Sequence, residues 1–212
     1  MSDTLYLSLW YPNLLQAALP EKLKAVLGSF AAHGGEALVY SATVWPISWN
    51  ESPVFQQVYG RRIGGGNSEQ KLGAEPGFAV AEALELLHDD YAYEFQIDWS
   101  LWELEELAPP QVARWKREPR LVRVTGFGPL FDEGVCEAEG HIRIDFGLDA
   151  PFLEEDLELD PVAARCVEEN VRQLVELTAA VEKASGATAR LLWSELGESL
   201  AQRLAKRLGG LN

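Results

Sequence analysis

The chain has 212 residues, of which 47% are hydrophobic and 24% charged, a composition that excludes a wholly disordered polypeptide. Thirty-three acids against eighteen Lys and Arg leave a net charge of −15. That excludes broad electrostatic capture of nucleic acid or anionic lipid, which needs positive charge facing phosphate, and no apolar run approaches the ~18 residues of a membrane-spanning helix.

Residues 4–10 alternate Leu5, Leu7 and Leu9 with Tyr6, Ser8 and Trp10. That period of two predicts a strand, and apolar residues in both sets predict a central one. A helix is expected over 20–32, where Leu19, Leu23, Val26, Leu27 and Phe30 recur at helical spacing, with Pro20 in its first turn and Gly34-Gly35 as its stop. Strands over 37–45 and 54–59 form the next, antiparallel pair. Between 60 and 73 lies a loop rich in glycine, with Gly64, Gly65 and Gly66. It lacks the spacing of a phosphate-binding loop and reads as a hairpin tip with solvated Arg61 and Arg62. A helix over 76–87 precedes a long strand over 91–102, whose length suggests a bend or bulge near Ser100.

This β-α-β-β-α-β order over 1–103 predicts a ferredoxin-like half, with helices on one face of an antiparallel sheet. Residues 104–119 read as a connector with a short helix containing Val112 and Trp115. Strands over 120–127 and 141–146 extend the sheet, and 147–159 is an acidic loop. Residues 160–212 predict a helical hairpin. Asp160-Pro161 caps its first helix, Val167, Val171, Leu174, Thr178 and Val181 form the stripe, and Ser185-Gly186 breaks it. Leu192, Leu196, Leu200 and Leu204 carry the second helix, to about 208. The whole, 1–212, is expected to be one α+β domain.

The amino-terminal Met1-Ser2-Asp3-Thr4 has no basic stretch leading into an apolar one, so a cytoplasmic location without a signal peptide is expected. Cys136 and Cys166, the two cysteines, read as free thiols in a reducing compartment. Glu133, Glu137 and Glu139 disfavour a thiolate at Cys136. There is no nucleophile elbow, no zinc spacing and no calcium loop, and no metal or cofactor is expected. His33 and His88 sit at helix ends, where a cation suits the dipole.

Charge is unevenly spread. The stretches 89–106 and 132–160 are acidic, and 114–123 is basic. Internal pairing of these segments is the simpler account. The alternative is an acidic docking surface for a basic partner.

The candidate site follows from strand alternation. If 91–102, 120–127 and 141–146 share a sheet, Glu94, Gln96, Asp98, Ser100, Arg123, Thr125, His141, Arg143 and Asp145 share one face. The ligand-binding candidates are Glu94, Asp98, Arg123, His141, Arg143 and Asp145. A solvated charged face needs no function, since cross-strand pairs contribute only about 0.2–1 kcal/mol each. A polar pocket between this face and the carboxy-terminal hairpin would instead tune His141 and a carboxylate for acid–base work. Most of the seven tryptophans are expected in the core, with Tyr6, Trp10 and Trp45 near strand ends lining a groove.

Three functions fit. The leading expectation is a cytoplasmic, non-catalytic binding or protein-interaction protein. Its rivals are a small-molecule enzyme or ligand binder around His141, and an acidic inhibitor or immunity-type partner of a basic protein.

Overall fold

The computed structural model describes residues 3–60, 73–105, 114–153 and 160–195, together with Arg203. Seven strands form one antiparallel sheet: β1 (Thr4–Trp10), β2 (Gly35–Pro46), β3 (Phe55–Val58), β4 (Tyr91–Glu105), β5 (Arg114–Phe127), β6 (Ile142–Leu148) and β7 (Ala189–Ser194), in the order β3-β2-β4-β5-β6-β1-β7. The helices are α1 (Leu19–Ser29), α2 (Pro76–Ala83), α3 (Val135–Glu139), α4 (Ala150–Leu153) and α5 (Pro161–Ser185). Among the described residues, none is long and apolar enough to cross a membrane.

The mixed α+β class is as expected, but the ferredoxin-like pairing is not the one formed. That arrangement needs β1 inside the sheet of the first half. Here β1 lies between β6 and β7, with β5 and β6 separating it from β4. Local periodicity makes β1 a strand; its partners are chosen by which distant edges remain to be filled.

The helices α1, α2 and α5 gather on one side of the sheet. Leu19, Leu23, Val26 and Phe30 of α1 join Leu174, Leu177 and Val181 of α5 in one core with Leu5, Leu7, Phe95, Ile97, Trp99, Val124 and Ile144. A Cβ on Gly126 of β5 would stand 3.0 Å from a Leu23 methyl, so the missing side chain lets α1 press onto the sheet. The stripe expected for α5 is largely buried. Asp160 caps it, its Oδ1 accepting from Val162 N and Ala163 N at 2.8 Å each, and Gly186 ends it at φ 70°.

Three local expectations are corrected. No bulge interrupts β4 near Ser100 in its pairing with β5, which is unbroken from Ala92 to Glu105. The irregularity falls on β2, between Gly35 and Val39 and again before Ser41. Residues 114–119 are not helical but the start of β5, so Trp115 is a strand residue; Val112 lies outside the described residues. Finally, 189–194 is the edge strand β7 rather than the start of a second helix. Leu192 packs on the core while Trp193 points to the other face, because two-residue alternation overrides the i,i+4 leucines. The rest of that predicted helix, Arg203 excepted, lies outside the described residues. So do Arg61, Arg62 and the three consecutive glycines, and the acids from 154 to 159.

Beyond Ser100, whose N donates to Gly34 O at 3.1 Å just before β2 begins, β4 has no strand on that side among the described residues, and α5 supplies partners. Buried Asn170 accepts from Trp102 N at 2.9 Å and donates to Trp102 O at 2.8 Å and Pro151 O at 2.9 Å. Gln173 donates to Ser100 O at 3.1 Å and His33 O at 2.6 Å. Two side-chain amides thus stand in for the missing strand.

Candidate functional site

The helices leave the second face of the sheet to the polar side chains of its strands. Cross-strand register sets them in rows. One row runs Thr43, Glu94, Thr125, Arg143, Ser8, Leu191; the next runs Ser41, Gln96, Arg123, Asp145, Tyr6, Trp193. Side chains directly opposite one another are the interacting unit of a sheet. Small Thr43, Thr125 and Ser8 alternate with larger side chains along the first row and are themselves buried; this dip in side-chain size is a hollow closed to solvent at its floor.

One end of this face is walled. Phe127, Ala92, Phe131 and Cys136 form a second apolar cluster with Trp45 and Trp49. Trp49 meets Phe131 edge-on at 5.0 Å and Phe127 at 6.1 Å. The wall continues through α3, whose Glu137 O accepts from Trp10 Nε1 at 3.2 Å. Burial, and then Glu137, push the Cys136 thiol above its usual range.

Within the hollow, Arg123 Nη1 pairs with Asp145 Oδ2 at 3.1 Å, and Asp145 Oδ1 accepts from Gly147 N at 2.7 Å. Arg143 pairs with Glu139 of α3. Its guanidinium lies 5.4 Å from the Tyr6 and Phe127 ring centres, within cation–π range. Burial holds it below its ordinary value, with Tyr6, Asp145 and Glu94 pulling the other way. Tyr6 stacks on Trp193 at 4.7 Å and donates to Glu195 Oε1 at 2.8 Å. Desolvation, and then that bond, lift its hydroxyl to about 12. Trp193 Nε1 donates to Ser8 Oγ at 2.9 Å.

Glu94 occupies the middle. Burial raises its carboxyl above the ordinary range; Arg123, the largest opposing influence, lowers it, as do Gln96 and Arg143, while Asp145 raises it. A carboxyl with a raised value in the fold favours folding below its unfolded value and loses that contribution as pH rises through the folded one. Glu94→Gln is therefore expected to raise the melting temperature at pH 8 relative to the parent, with the gain fading at pH 4. Thermal melts at both pH values check this.

Of the six sequence candidates, Glu94, Arg123, Arg143 and Asp145 are brought together. Asp98 shares the face but sits beside Leu121, about 13 Å along the strand from Glu94 at ~3.3 Å per residue. His141 is turned elsewhere. It precedes β6, follows Gly140 at φ 93°, and its Nδ1 accepts from Tyr11 N at 3.3 Å. Its ring meets buried Tyr11 edge-on at 6.1 Å, and Lys22 of α1 stands 5.3 Å from the Tyr11 ring centre. Among the described residues, α5 packs on the opposite, apolar face, so this helix does not enclose a pocket over the polar one; most of the second half of the expected hairpin lies outside the described residues. Tyr6, Ser8, Trp193, Glu139 and Glu195 were not among the candidates, since they reach the hollow only through the pairing of β1 and β7 and through α3.

Burial lowers His141 below its usual value, so its contribution to stability is whole above about pH 6.5 and is lost as pH falls through the lowered folded value. Protonation also removes the acceptor for Tyr11 N. His141→Asn, which keeps an acceptor but does not titrate, is expected to flatten the fall in urea midpoint between pH 7 and pH 5.

Comparison with protein-family models, with curated proteins and with solved structures finds no match. Among the described residues, no group of three or more His, Cys, Asp or Glu could hold a metal ion. The hollow offers guanidinium groups, carboxylates, hydroxyls and aromatic rings, which are means of recognition.

Proposed function

We propose that the chain is a cytoplasmic, non-catalytic binding protein that takes its partner on the sheet face turned away from the helices, centred on the Glu94–Thr125–Arg143 row. One observation carries this reading: Glu94 and Arg143 are both perturbed by desolvation on a face no long helix covers among the described residues. Such groups have already lost much of their water, so a partner that pairs them meets a smaller desolvation cost. Aromatic and arginine side chains beside them are the types that dominate binding energy at interfaces. The two buried free thiols fit a reducing compartment.

Site-specific photocross-linking tests it. A benzophenone side chain at Gln96 or at exposed Leu191 is expected to trap a discrete partner, and the same group at exposed Val175 of α5 is expected not to. Equal trapping at Val175, or steady turnover of small substrates by the purified chain, would defeat the reading.

A second reading is favoured by Glu94 alone. A carboxyl raised by burial is suited to holding a proton for transfer, so a small ligand seated over Thr125 between Glu94 and Arg143 could be bound or transformed. Calorimetric titration of a metabolite panel decides it: binding abolished by Glu94→Gln and Arg143→Met supports the small-ligand form, and no heat from any member removes it.

A further inference from the structure

We infer that the partner presents a basic segment, with a Lys or Arg side chain seated over Thr43 beside Glu94 and against the Trp45 indole. This rests on the binding-face reading above and names the partner's chemistry.

The two cations of the face are already matched, Arg123 by Asp145 and Arg143 by Glu139. Glu94 has no ion pair among the described residues, and Arg123 acts on it from the β5 side. On its β2 side the described residues of the face are uncharged: Thr43 lies directly opposite Glu94 and Ser41 opposite Gln96, with Gln56 of β3 beyond Thr43. Thr43 is only 4% exposed, so a side chain lying over it rests on its larger neighbours, Glu94 and Trp45, rather than on the threonine itself. Trp45 follows on the same face, in contact with Trp49 at 5.8 Å. A carboxylate, a small floor and an indole make a seat for a cation with an apolar stem, since ammonium and guanidinium groups are drawn to aromatic faces as well as to charge.

Long-range charge selects the same occupant. At net −15, a second copy of the chain, an acidic peptide or a nucleic acid would be repelled, and a basic segment would be steered in. An arriving cation stabilises ionised Glu94, so binding is coupled to release of its proton and weakens on acidification. The charged groups facing Glu94 are Arg123 from β5 and Arg143 and Asp145 from β6; Gln96 lies beside it on β4.

The test uses the full chain, labelled with nitrogen-15, and two capped peptides, Leu-Arg-Leu-Arg-Leu and Leu-Glu-Leu-Glu-Leu. The arginine peptide is expected to give saturable shifts at the amides of Thr43, Trp45 and Glu94. Glu94→Gln should weaken it at least tenfold while other resonances stay in place, and Glu176→Gln on α5 should not. Affinity should fall on acidification for the parent and stay level for Glu94→Gln. Absence of shifts, shifts spread over α5, or equal affinity in Glu94→Gln would overturn the inference. Shifts at the same amides with the glutamate peptide alone would overturn the basic partner yet leave the binding face standing.

Discussion

Trp99→Ala is expected to lower stability by about 3–5 kcal/mol, the largest single loss foreseen here. Trp99 is fully buried in β4 and joins the helices to the sheet. Its ring meets Phe30 edge-on at 6.1 Å, Phe146 at 5.3 Å and Phe152 at 6.0 Å. Its Nε1 donates to His33 O at 2.8 Å, just before the αL residue Gly34. Alanine would leave a cavity bordered by three elements that cannot all collapse inward, and would remove one of the two donors to the His33 carbonyl, leaving Gln173. Trp99→Phe separates the two parts. It retains much of the packing, loses the hydrogen bond, and is expected to cost well under half as much. Urea denaturation with an unchanged m-value checks both, because a changed slope would signal a different unfolded state rather than lost packing.

Asn170→Ala is expected to cost ~3 kcal/mol. An unsatisfied buried polar group costs about 1–3 kcal/mol, and Asn170 serves three backbone groups: Trp102 N, Trp102 O and Pro151 O. Asn170→Asp is expected to do no better, since it retains the acceptor but loses both donated bonds and adds a buried charge. If the two variants instead melted with the parent, β4 would not depend on α5 beyond the point where β2 leaves it. Hydrogen exchange at the Trp102 amide offers an independent reading. It should accelerate in Asn170→Ala even under conditions where the rest of β4 stays protected.

Features written locally were legible in the chain. The alternation of Leu5, Leu7 and Leu9 marked β1, Asp160-Pro161 marked the start of α5, and the parity of 91–102 marked β4. Parity also gathered Glu94, Arg123, Arg143 and Asp145, because it needs only that three strands be adjacent. It failed at His141, where the left-handed backbone at Gly140 and the late start of β6 break the alternation the argument assumed. Strand order was not legible, since Leu7 carries no mark of its partners Ile144 and Leu192. Of the leucines spaced i,i+4 after Gly186, Leu192 lies in β7 and the others lie outside the described residues. With β7 misread, Trp193 and Glu195 stayed out of the predicted site, and so did their contacts with Tyr6.

The placement of β1 between β6 and β7 governs the order in which a growing chain can organise. β1 is an inner strand, yet both its neighbours, β6 and β7, come far later in the chain. Until 142–148 and 189–194 have left the ribosome, Leu5, Leu7 and Leu9 have no sheet to join, while β2, β3 and β4 can already associate. Closure across such a span is slow and leaves an apolar strand exposed meanwhile. Chaperone occupancy on nascent chains should accordingly persist at β1 until 189–194 has emerged, and a rearranged chain that places β1 directly after β7 should shed it sooner.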